Sequence, residues 1–75
     1  MSILPALEVE LEKGLGPKRE LEIENEIKKL SSVFNTSMSG GGETTRILAT
    51  LKGSSQEARA DISKIQGVKS IRHAL

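Results

Sequence analysis

The run Leu7-Glu8-Val9-Glu10-Leu11-Glu12 constrains this chain more than any other segment. Three apolar and three acidic residues alternate strictly, a period of two that fits a β-strand and no helix. Successive strand side chains point to opposite faces, so Leu7, Val9 and Leu11 are predicted to line a core. Glu8, Glu10 and Glu12 then face solvent. The strand is predicted over residues 6–13. It stops at Gly14-Leu15-Gly16-Pro17, a turn whose proline suits the first position of a following helix.

The rest of the sequence offers a cover for that apolar face. A helix is predicted over 17–31, with Ile23, Ile27 and Leu30 on one stripe and Glu24 and Lys28 paired four residues apart. Leu21 falls off the stripe and alternates with Ile23, so residues 20–24 also read as a strand. Pro17 and the straight-chain helix formers favour the helix. A strand over 33–39 places Phe34, Thr36 and Met38 on one face. Ser39-Gly40-Gly41-Gly42-Glu43 makes a hairpin connection to a strand over 44–52. There Ile47, Ala49 and Leu51 share one face, while Arg46, Leu48, Thr50 and Lys52 share the other. Ser54 and Glu57 form a capping box that opens a second helix with Ala58, Ile62 and Ile65 as its buried stripe. Gly67 stands where a left-handed cap is wanted. A last strand over 68–75 puts Ile71, His73 and Leu75 on one side.

The element order is strand, helix, strand, strand, helix, strand. Ile27, Leu30, Ser32 and Val33 recur 35 residues later as Ile62, Ile65, Gly67 and Val68, each set ending a helix and entering a strand. A doubled βαβ unit places them so, and the predicted fold is α+β: a ferredoxin-like βαββαβ sandwich. It has a four-stranded antiparallel sheet with two helices on one face. Residues 1–75 are expected to form one domain, with 1–5 a flexible N-terminus. Such a short chain buries only roughly 60% of the surface its unfolded form exposes, so it needs a compact core or a second chain. Twenty Leu, Ile, Val and Phe residues among 75 lie above the level at which chains stay disordered.

Charge divides the chain. Residues 1–26 carry seven acids against three bases, and residues 27–75 carry three acids against eight bases, leaving a net +1. In a ferredoxin-like sheet the first strand is central. Its glutamates then meet Arg46 and Lys52 from one neighbour and Arg72 from the other, each cross-strand pair contributing roughly 0.2–1 kcal/mol. That layout disfavours RNA binding by the sheet, which needs stacking aromatics and positive potential. Phe34 is the one aromatic residue. A basic surface from Lys28, Lys29, Lys64 and Lys69 is the remaining nucleic-acid candidate, and it ranks low because scattered lysines usually form a solvated face. No apolar run approaches the roughly 18 residues of a membrane span, and the opening residues lack a signal-peptide pattern, so no membrane partner and a cytoplasmic location are expected.

Catalytic chemistry finds little support. With no cysteine there is no disulfide, thiolate metal site or cysteine nucleophile. The triple glycine 40–42 is followed by a strand, whereas a phosphate cradle needs a helix N-terminus and a lysine. His73 has no orienting partner at a recognisable spacing. Glu8, Glu10 and Glu12 point the same way about 7 Å apart, too spread to converge on a cation. No cofactor, metal site or catalytic residue is expected, and the chain is read as not an enzyme.

The segment Ile62-Ser63-Lys64-Ile65-Gln66-Gly67-Val68-Lys69-Ser70-Ile71 resembles the end of small ferredoxin-like regulatory modules, among them ACT domains and the effector domains of leucine-responsive-type regulators. The resemblance implies a ligand-contacting loop after the first strand. Here that loop is Gly14, Leu15, Gly16 and Pro17, with Gly-Pro where ACT loops carry an Asp and a Pro-Gly pair. The leading functional expectation is a small non-catalytic module acting by self-association as a homo-oligomer or by binding a protein partner. Its partner-binding edge is residues 33–39, with Phe34, Thr36 and Met38. The alternatives are a small-ligand-sensing ACT-like domain and a weakly basic nucleic-acid binder.

Overall fold

A computed structural model describes residues 5–41 and 44–74. The elements are β1 (Ala6–Leu11), α1 (Pro17–Lys28), β2 (Val33–Gly41), β3 (Thr44–Leu51), α2 (Ser55–Ser63) and β4 (Val68–His73). The strands form one antiparallel sheet in the order β2-β3-β1-β4. This is the ferredoxin-like βαββαβ arrangement, with the alternating strand at its centre. Residues 1–4, 42, 43 and 75 lie outside the described residues, and with them most of the expected N-terminal tail, part of the glycine hairpin and Leu75. Pro5, at the edge of that tail, accepts the Leu51 N–H through its carbonyl at 2.8 Å.

Alternation in β1 translates directly into burial. Leu7, Val9 and Leu11 are fully buried, while Glu8 and Glu10 are half-buried on the other face. Ile47, Ala49 and Leu51 of β3 meet them from one side, and Ile23, Ile27, Ala58 and Ile62 close the core from the helices. Burying a side chain of this size contributes roughly 1.5–3 kcal/mol.

Residues 20–24 are helical. Gly16 provides the N-cap with φ +86°, and Pro17 follows in the first turn, where its missing N–H is no loss. Glu20 lies in that turn, its charge favourable to the helix dipole. Leu21 stays exposed as the stripe requires. The helix ends three residues earlier than expected, because Leu30 and Val33 N–H groups bond to the Ile27 and Leu30 carbonyls in successive tight turns. Ser31 and Ser32 suit such turns better than a helix interior.

In α2, Ser54 caps as read from the sequence, its hydroxyl accepting the Glu57 N–H at 3.4 Å. Gly67 has φ +108°, and its carbonyl accepts the Glu12 N–H at 2.8 Å. A Cβ there would lie 2.8 Å from Ile23 Cδ1 and 3.2 Å from Leu15 Cδ1. Only glycine satisfies both the backbone and the space.

One expectation fails in β2. Val33 pairs with Leu51 and Thr36 with Ala49, both toward the helices, yet Asn35 pairs with Thr50 on the other face. Phe34 and Asn35 together oppose one β3 residue, a bulge that advances the register. Val33 is therefore buried and Phe34 is 63% exposed. Phe34 does not share a face with Thr36 and Met38.

Candidate functional site

The sheet face away from the helices is charged along β1 and β4 and at Arg46 of β3, and uncharged elsewhere. Glu8 faces Arg72 across β1 and β4, and the Arg72 Nε donates to Glu8 Oε1 at 2.8 Å. Glu10 faces Ser70 on one side and Arg46 on the other. The Ser70 hydroxyl donates to Glu10 Oε1 at 3.1 Å and holds that carboxyl below its usual range. Lys69, Arg46 and the Thr44 hydroxyl act in the same direction, while the loss of some hydration opposes them. The expected ladder is thus shorter than read. Leu48, not Lys52, stands opposite Glu8 from β3, and Glu12 falls beyond the end of β1. The ion pair is solvent-exposed and adds at most about 1 kcal/mol. Across β2 and the rest of β3 the same face presents Phe34, Asn35, Ser37, Leu48 and Thr50, none of them charged, while Arg46 stands opposite Ser39 at the far end of β3.

The two sheet edges differ in the same sense. β4 carries Lys69 and Arg72, with Lys69 the extra residue where the register shifts opposite Glu10 and Leu11. Arg59 reaches across from α2 and donates from Nη2 to the Ile71 carbonyl at 3.2 Å. Charges, a bulge and a covered carbonyl are the means by which proteins keep an edge strand from recruiting another. β2 reads Val-Phe-Asn-Thr-Ser-Met-Ser-Gly-Gly and has no charged residue along its nine positions. Its bulge sits at its start, where Asn35 Oδ1 accepts the Thr36 N–H at 2.9 Å. Thr36 and Met38 turn toward the helices: the Thr36 hydroxyl donates to Glu24 Oε2 at 3.1 Å, and Met38 packs on the core. The expected edge residues therefore flank β2 on both faces, Phe34 on one and Thr36 and Met38 on the other.

The turn at Gly14, Leu15, Gly16 and Pro17 lies beside Gly67. Gly14 and Gly16 have φ of +78° and +86°, and a Cβ on either would meet nothing within 4 Å. Conformation, not crowding, requires these glycines. Leu15 turns inward onto the core, over Gly67. Arg19 fastens this end by donating from Nη2 to the Gln66 carbonyl at 2.8 Å.

The four lysines do not form one surface. Strand directions put Lys28 and Lys29, where α1 leads into β2, at one end of the sheet, and Lys64 and Lys69, around the α2–β4 turn, at the other. His73 pairs with Leu7 and so lies on the face opposite Glu8 and Glu10. Among the described residues no group of three or more His, Cys, Asp or Glu could hold a metal ion, and no helix is long and apolar enough to cross a membrane.

Arg59 and Arg19 were not singled out from the sequence. A signal existed for Arg59: it follows Ala58, at the margin of the buried stripe, so its stem leads toward the sheet edge while its head stays wet.

No family model matches the chain, and no curated protein matches its sequence. A solved structure does match: the ACT domain from the GTP pyrophosphokinase of Chlorobium tepidum, with TM-score 0.60 and 13% identity over 97% of this chain and 99% of that one. At that identity the likeness is one of fold, and in fold this chain is similar to an ACT domain.

Proposed function

We propose that the chain is a small non-catalytic assembly module of regulatory type, in which two copies pair along β2. The observation that supports this reading is the contrast between the edges. β4 has charges, a bulge and Arg59 over its Ile71 carbonyl, whereas β2 offers nine uncharged residues. Beyond its bulge at Phe34 and Asn35 and the Thr36 N–H held by Asn35, this uncharged edge is a template for another strand. Phe34 adds an exposed aromatic surface beside it.

The experiment is sedimentation velocity over a range of concentrations, for the natural chain and for a variant with Ser37→Lys and Ser39→Lys. Both serines are exposed. The natural chain self-associates and the variant is a monomer of unchanged circular dichroism. A monomer throughout, or self-association indifferent to the lysines, overturns the reading.

Ligand sensing is the second reading, favoured by the ACT-like fold together with the turn at residues 14–17, where both glycines face open space. A ligand that binds only the folded chain raises its Tm, so a panel of amino acids and nucleotides tests it by thermal shift. No shift across the panel rejects it.

A further inference from the structure

A groove of about 470 Å³ runs between α2 and β4, on the sheet edge opposite β2. Its volume is within the roughly 300–1,000 Å³ of ligand clefts. Arg59 and Lys69 supply its charge, and among the described residues none that lines it is acidic. Val68 and Ile71, both packed on the core, form an apolar floor. One wall is the edge of β4 itself. The Ala74 N–H donates to the Ala6 carbonyl, so alternate residues back from Ala74 bond toward β1, and Ile71 and His73 direct their main-chain groups outward. The Arg59 guanidinium already occupies the Ile71 carbonyl.

We propose that this groove binds an extended acidic peptide segment, which adds to β4 as a fifth strand. An incoming peptide N–H takes over the Ile71 carbonyl from Arg59. The released guanidinium is then placed to grip a carboxylate of the same peptide, where its planar fork forms a charge-assisted pair. Apolar side chains on the peptide's α2-facing side settle on Val68 and Ile71, and the carboxylate that meets Arg59 stands on that same side, two residues along. The same cations that repel a second copy's β4 attract an acidic strand, so one arrangement excludes the wrong partner and selects the right one. The β2 edge takes no part, and the site stands or falls independently of self-association.

The test uses a fluorescent peptide of Val-Thr-Glu-Thr repeats, which puts valine and glutamate on one face, with its glutamine counterpart as control. Anisotropy at low salt is read for the natural chain and for Arg59→Gln, and amide shifts locate the contact. The acidic peptide binds, the glutamine peptide does not, and the shifted amides fall at residues 69–73. Arg59→Gln, an exposed position, weakens binding about tenfold, the scale of one lost charge-assisted hydrogen bond. Any of these results overturns the proposal: no binding of the acidic peptide, equal binding of the glutamine peptide, an unaffected Arg59→Gln variant, or shifts confined to β2. Equal competition by a single-stranded oligonucleotide also overturns it, since it indicates attraction of any polyanion.

Discussion

Gly67 is where three segments meet: its carbonyl holds Glu12, and Leu15 and Ile23 fill the space a side chain would take. Gly67→Ala would place a Cβ at positive φ and against Ile23 Cδ1. The expected cost is about 2 kcal/mol or more, read as a lowered urea midpoint. A variant as stable as the natural chain would show that the turn relaxes freely. Glu10 shows how a strand neighbour sets an acid. The Ser70 hydroxyl is the largest cause of its depressed pKa, so Ser70→Ala raises that pKa toward the usual value. A depressed folded pKa contributes stability that is present above the unfolded value and is lost as pH falls through the folded one. Ser70→Ala shrinks that window from its acid side, and a carboxyl-detected NMR titration of Glu10 reports the change. An unmoved Glu10 would assign the shift to Lys69 and Arg46 instead.

Elements with strong local signals were legible in advance. The alternation of β1, the Ser54 cap of α2 and the Leu7, Val9, Leu11 face are all as the sequence implied, because each depends on spacing within a few residues. The β2 bulge was not legible. Val33 and Phe34 both suit a strand, and only pairing with Leu51 and Ala49 decides which is buried. That choice has a measurable consequence. Val33→Ala costs about 1–3 kcal/mol, whereas Phe34→Ser changes stability by less than about 0.5 kcal/mol, a reversal of the usual order for these sizes. Thermal unfolding of the two variants checks it, and a larger loss at Phe34 would contradict the bulge. The candidate site was legible only in part for a related reason. Charge-free β2 could be read directly, but the guard on β4 depends on Arg59 reaching Ile71 from another element.

For the molecule as a whole, a net charge of +1 conceals an ordered distribution. The glutamates of β1 meet basic partners across the sheet, one edge is cationic and covered, and the other edge is neutral and open. The absence of cysteine and the single aromatic residue remove thiolate chemistry and base stacking from a fold that elsewhere supports both. What remains is a small α+β sandwich whose two sheet edges differ in charge and in cover. The proposed pairing of two copies along β2 has a direct readout. Amide hydrogen exchange as a function of protein concentration reads it, because edge amides that pair between copies become protected only when copies meet. Protection within residues 37–41 is expected to rise with concentration while that of Ile71 and His73 stays unchanged. Protection independent of concentration, or rising in β4 and not in β2, would contradict it.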